Sequence, residues 1–138
     1  MRAPILLFLV VLSLPAQADD PVFSCTTTNG KTVQVVQTPT HVRYTFGMPG
    51  QAPEMTIETP TAELDYSVST GSQIESFVMN FRNGDTTYLL DASTLHTDPD
   101  WYGQLTVYRG DTRLAMIDCR DGTVVFTAGN MAREPERP

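Results

Sequence analysis

The sequence predicts an all-β domain, a small antiparallel β-barrel or sandwich of about eight strands with one disulfide. Three observations lead to that expectation. Apolar and polar residues alternate along most of the chain, while capped apolar stripes at helical spacing are missing and Thr, Val, Tyr and Phe are abundant. Glycine-containing turn signals recur between the alternating runs. The chain has 2 cysteines, Cys25 and Cys119, near opposite ends of the alternating region.

The first residues set the compartment. Met1-Arg2 gives a positive start, Ile5 to Leu14 is apolar apart from Ser13, and Pro15 leads into Ala16-Gln17-Ala18, a small-residue cleavage site. Residues 1–18 therefore read as a secretory signal peptide. The apolar run falls well short of the roughly 20 residues a spanning helix needs, and no second run follows. The expected mature protein is a single β domain over residues 19–128, periplasmic or secreted, with no membrane anchor. Residues 129–138 are charged and proline-containing and read as a disordered tail.

Export brings both cysteines into an oxidising compartment, and one pair allows one connectivity, Cys25–Cys119. A loop of that size gains roughly 4.7 kcal/mol in the chain-entropy model. The apolar run stops at Leu14, well short of Cys25, so Cys25 reads as a disulfide partner and not as a lipidated first residue.

Along the domain, Val22–Thr28 alternates through Phe23 and Cys25. Asn29-Gly30 suits a two-residue turn with positive φ at both positions and joins that run to Lys31–Gln37. His41–Phe46 sets Val42, Tyr44 and Phe46 on one face. Gly47–Pro53 is a loop by its glycines and prolines. Glu54–Thr59 alternates again until Pro60, which cannot donate to a ladder. Ala62–Val68 is a weaker strand candidate.

Gln73–Arg82 is the clearest strand, with Phe77, Met79 and Phe81 aligned. Asn83-Gly84 turns it into Asp85–Asp91. Ala92–Tyr102 reads as irregular. Leu105 and Val107 mark the next strand, Gly110-Asp111 turns it into Thr112–Cys119, and Thr123–Thr127 adds a short one.

Charge narrows the partners. The chain carries 16 Asp and Glu against 9 Lys and Arg, a formal net charge of −7, and loss of Arg2 makes the mature domain more negative. Nucleic acid and anionic lipid both require basic surface and are disfavoured. A cationic protein or small-molecule partner suits the charge, which also serves solubility.

No catalytic or cofactor motif stands out, and no cofactor is expected. There are 2 histidines, His41 and His96. His96-Thr97-Asp98-Pro99-Asp100 places an imidazole and two carboxylates in one loop, but a zinc site wants three or four ligands rich in Cys and His, and Asp beside Pro builds turns. No metal is expected. A Gly-x-Ser-x-Gly elbow is missing, so a metal-dependent or hydrolytic enzyme is the weaker alternative. Arg109-Gly110-Asp111 spells an adhesion tripeptide at an expected hairpin turn. Trp101 and Tyr102, beside Asp98 and Asp100, form a candidate recognition pair, because large aromatics anchor interfaces. The expectation is a non-enzymatic exported binding module.

Several stretches resemble small exported proteobacterial proteins of unknown function: Phe23-Ser24-Cys25 with Asn29-Gly30-Lys31, Tyr44-Thr45-Phe46-Gly47 with Pro49-Gly50, Phe81-Arg82-Asn83-Gly84-Asp85 with Tyr88, and the strand ending at Cys119. That resemblance implies a shared architecture and no known activity. More distantly, the aromatic-x-Cys start and the late cysteine are similar to periplasmic and membrane-bound inhibitors of C-type lysozyme. Their inhibitory loop carries Ser-Gly-x-x-Tyr before a strand. The matching stretch is Thr70-Gly71-Ser72-Gln73-Ile74, with Thr for Ser and Ile for Tyr. The resemblance implies inhibition of a basic lysozyme through Thr70, Gly71 and Ser72 as the alternative function.

Overall fold

A computed structural model describes residues 10–12 and 19–127. Apart from residues 10–12, the expected signal peptide lies outside the described residues, and so does the expected tail over 129–138. No helix among the described residues is long and apolar enough to cross a membrane.

The described chain forms ten strands: β1 (Asp20–Thr26), β2 (Thr32–Gln37), β3 (His41–Gly47), β4 (Met55–Pro60), β5 (Asp65–Thr70), β6 (Ile74–Asn83), β7 (Thr86–Leu95), β8 (Trp101–Arg109), β9 (Thr112–Asp118) and β10 (Val125–Phe126). They make two antiparallel five-stranded sheets, ordered β10-β1-β2-β3-β4 and β5-β6-β7-β8-β9. The all-β expectation and the single disulfide hold. The two sheets do not close into one barrel. One short 3₁₀ turn, Thr61–Glu63, links β4 to β5 and carries the chain from the first sheet to the second.

Alternation explains the core. Val33, Val35, Val42, Tyr44 and Ile57 turn inward from the first sheet, and Phe77, Met79, Phe81, Leu90 and Leu105 from the second, all buried. Each such side chain contributes about 1.5–3 kcal/mol when fully removed from water. The Tyr44 ring stacks on Phe81 at 5.1 Å and lies 5.7 Å from Tyr88. Its hydroxyl has no hydrogen-bond partner among the described residues, and burial pushes its ionisation well above the usual tyrosine range. Pro60 pairs opposite His41 on β4, an edge strand where a missing donor costs least.

Cys25 and Cys119 are bonded, with Cα atoms 5.8 Å apart and 94 positions of sequence between them. The bond joins β1 of the first sheet to the segment leaving β9 of the second. Backbone hydrogen bonds reinforce this corner: Thr28 N donates to Asp118 O at 2.9 Å and Arg120 N to Thr26 O at 2.7 Å. Gly103 makes the corner possible. A Cβ at that position would meet Cys119 Sγ at 2.6 Å and the Phe23 ring at 2.9 Å, so only glycine lets β8 pass over the disulfide.

Three local expectations need correction. Ala92–Tyr102 is not irregular throughout, because β7 runs on to Leu95 and β8 starts at Trp101, with Ala92 opposite Gly103 and Ser93 opposite Tyr102. Small and polar residues there hide the apolar period, and ladder pairing overrides it. Asn29-Gly30 is not a turn with two positive φ values, since only Gly30 has one (+83°). The Asn29 side chain instead accepts from the Thr27 hydroxyl, and Gly30 N donates to Thr27 O at 2.9 Å, giving a longer turn. The weaker candidate over Ala62–Val68 shifts to Asp65–Thr70, behind the 3₁₀ turn.

Candidate functional site

A recess of about 300 Å³ opens on the outer face of the second sheet. Strand register builds its floor. Asp91 on β7 pairs with Gln104 on β8, and Gln104 pairs with Asp118 on β9, so two carboxylates flank one amide in a single cross-strand row. Ser93 and Tyr102 form the neighbouring row, and Asp121 enters from the turn after Cys119. The lining holds three carboxylates and no Lys, Arg or His.

These groups are not equivalent. Gln104 Nε2 donates to Asp118 Oδ1 at 2.8 Å, which fixes the amide and one carboxylate oxygen. Asp91 is half-buried, and its Oδ1 is shut off from solvent with no hydrogen-bond partner among the described residues. Burial pushes the Asp91 carboxyl above its ordinary range. Gln37, Tyr44 and Thr61 also hold a buried oxygen without a partner, but only Asp91 is a carboxylate. A buried unpaired carboxylate oxygen carries a desolvation cost that a hydrogen-bond donor removes.

At the rim, the Tyr102 hydroxyl donates to Asp98 Oδ2 at 2.7 Å, and Asp100 N donates to Asp98 Oδ1 at 2.9 Å. Those two bonds hold Asp98 below the usual carboxylate range, the Tyr102 bond contributing most. The same bond, with the charges of Asp98, Asp100 and Asp121, pushes Tyr102 up. Asp98, Asp100 and Asp121 therefore set a negative field around the Tyr102 hydroxyl.

Trp101 and Tyr102 point to opposite faces, as consecutive strand residues do. Trp101 packs inward, its ring 4.6 Å from Phe126, whereas Tyr102 is exposed and lines the recess. Thr70, Gly71 and Ser72 are exposed at the β5–β6 hairpin, where Gly71 N donates to Ile74 O at 2.8 Å. The fold brings this hairpin to the same end of the sheet as the 96–100 loop: His96 N donates to Gln73 O at 2.8 Å. His41 lies elsewhere, on the first sheet at the start of β3. Arg109-Gly110-Asp111 forms the β8–β9 turn, with Gly110 at positive φ (+56°). Among the described residues, no three His, Cys, Asp or Glu side chains stand close enough to share one metal ion.

The carboxylates that matter most here, Asp91, Asp118 and Asp121, are not among the residues the sequence points to. They are 27 and 30 positions apart along the chain, counted from Asp91, and only the β7–β8–β9 register joins them. Asp91 carried one legible signal. It follows Leu89-Leu90 and interrupts the apolar run within a strand that continues through Ala92.

Comparison with protein-family models, curated proteins and solved structures finds no match to the chain. The site's own chemistry therefore carries the functional reading.

Proposed function

We propose that the protein is an exported, non-catalytic binding module of sandwich type whose ligand presents an organic cation to the recess at Asp91, Gln104 and Asp118. The single observation that carries this reading is Asp91 Oδ1, a buried acceptor with no donor, at the floor of a recess lined by acids and free of bases. A guanidinium or ammonium in the recess pairs with the Asp91 carboxylate and compensates the charge that its buried oxygen leaves without a donor. The separation of the carboxylates favours a cation with several N–H groups over a single metal ion. The leader sequence and the disulfide support an exported setting.

The test is a titration with N-acetylarginine amide, with the neutral isostere N-acetylcitrulline amide as control. Saturable binding of the arginine compound, with amide shifts centred on Asp91, Gln104 and Asp118, is the expected result. Asp91→Asn should weaken it roughly tenfold, about 1.4 kcal/mol. Equal binding of the two compounds would reject a cation site.

A further inference from the structure

Two Asn-Gly pairs, Asn29-Gly30 and Asn83-Gly84, set the same chemistry in unlike surroundings. Asparagine before glycine is prone to lose its side-chain amide, because glycine has no Cβ to keep its nitrogen from the neighbouring side-chain carbonyl carbon. The reaction needs an unhindered glycine N–H, an amide side chain that can swing, and a backbone that can turn with it.

The Asn29 pair is tied on all three counts. Its side-chain oxygen accepts from the Thr27 hydroxyl and from Lys31 N at 3.4 Å, and Gly30 N donates to Thr27 O at 2.9 Å. Thr27 is buried and bridges Cys119, so this turn is anchored beside the disulfide. Asn83, by contrast, stands exposed at the last rung of the β6–β7 ladder, opposite Thr86. Among the described residues its side chain makes no hydrogen bond, and Gly84 N has no acceptor. Gly84 lies at φ +61° with open space around its Cβ position, the first central place of a two-residue turn in which Asp85 keeps a negative φ. Beyond the hairpin, one backbone bond reaches the turn among the described residues, from Gly110 N to Asp85 O at 3.3 Å.

We infer that Asn83 is a deamidation site of the folded protein and that the fold shields Asn29 from the same reaction. Gly84 N gives its proton to hydroxide and attacks Asn83 Cγ. A ring C–N bond forms, the bond from Cγ to the side-chain nitrogen breaks, and that nitrogen leaves as ammonia. Water then opens the cyclic imide at either carbonyl, leaving aspartate or, with the main chain rerouted through Cβ, isoaspartate. One amide and one water give one carboxyl and one ammonia, with no change of oxidation state. Either product adds a negative charge beside Asp85 to a chain already at −7. Isoaspartate also lengthens the main chain by a methylene at the Thr86 rung, so the turn loosens while the rungs from Arg82 opposite Thr87 inward keep their register. Asp91 and Ser93 lie beyond those rungs on β7, and the inference is independent of the cation reading of the recess.

The test holds the full mature chain at mildly alkaline pH, once folded and once in denaturant, and follows both asparagines by peptide mass mapping, with fragmentation to tell isoaspartate from aspartate. In the folded protein Asn83 should convert at least about tenfold faster than Asn29. In denaturant, where neither turn persists, that gap should close. Amide hydrogen exchange at Gly84 should likewise outpace exchange at Gly30. An Asn83 amide that survives in the folded protein while the denatured chain converts overturns the site. Equal folded-state rates, or a gap equally wide in denaturant, overturn the shielding of Asn29 by the fold.

Discussion

The outer faces of the two sheets differ in how they hold charge near their recesses. On the first sheet, Arg43 donates to Glu58 at 2.8 Å across the β3–β4 pair and reaches Asp19 at 3.3 Å, and Lys31 meets Glu54 at 3.0 Å near the end of the same sheet. Glu58 is held below its ordinary range chiefly by the Arg43 bond, and Arg43 is raised chiefly by Glu58. On the second sheet, Asp91, Asp118 and Asp121 enter no ion pair among the described residues. The first sheet also bears a recess of similar size, about 310 Å³, but it is lined by Thr32, Gln34, Phe46 and the Met48–Pro53 loop, with no carboxylate. The two hollows are alike in size and unlike in charge: Asp91, Asp118 and Asp121 line the second without an ion pair among the described residues, and no carboxylate lines the first.

The largest expected effect separates the faces through the disulfide. Cys119 Sγ and the flanking Asp118 and Asp121 form one wall of the recess, whereas β3 and β4 lie three and four places from β10 across the first sheet. Replacing Cys25 and Cys119 by Ser should cost about 2–5 kcal/mol in denaturant unfolding. Hydrogen exchange should speed most at Asp118–Arg120, and less along β3–β4. Uniform loosening of both sheets would break the contrast. Gly103→Ala should act at the same corner with a smaller cost of about 1–3 kcal/mol, since the added methyl strikes Cys119 Sγ and Phe23. Thermal unfolding of the oxidised protein reads it.

Asp91→Asn should raise stability at neutral pH, by about 1 kcal/mol, because an unpaired buried carboxylate is costly when ionised. The sign follows from the raised folded-state ionisation. Protonated Asp91 is tolerated, so its contribution is fully present below the unfolded value of about 3.9 and is lost as pH rises through the higher folded value. The melting-temperature gap between variant and parent should therefore be wide at neutral pH and close in acid. A gap independent of pH would assign the effect to packing. The smallest effect belongs to the first sheet, where Arg43→Ala should change stability by less than about 1 kcal/mol and lose even that in high salt, as exposed ion pairs do.

Much of the frame was legible in the chain, and the site was not. The Phe77-Met79-Phe81 stripe, the Gly84 and Gly110 turns and the lone cysteine pair all follow from local patterns, and local patterns are what a single sequence records. Ala92–Tyr102 failed as a reading because Ala92, Ser93 and Thr94 give no apolar period, although each has a partner across the ladder. The recess lay hidden for a related reason. Asp91, Gln104 and Asp118 meet only when register is known, and a slip of one residue would send Gln104 to the core face. Tyr102 was visible as an aromatic beside acids, but Trp101 drew equal weight until strand alternation turned it inward.

The most direct measurement is the ionisation of Asp91 itself, followed by carbon-detected NMR of its carboxyl across a pH series with and without N-acetylarginine amide. The account expects a carboxyl that titrates above the ordinary aspartate range when free and falls toward or below it with ligand, with release of a proton on binding at pH values between the two midpoints. An Asp91 that titrates normally, or one whose midpoint stays fixed as the cation saturates, would contradict a site built around that carboxylate.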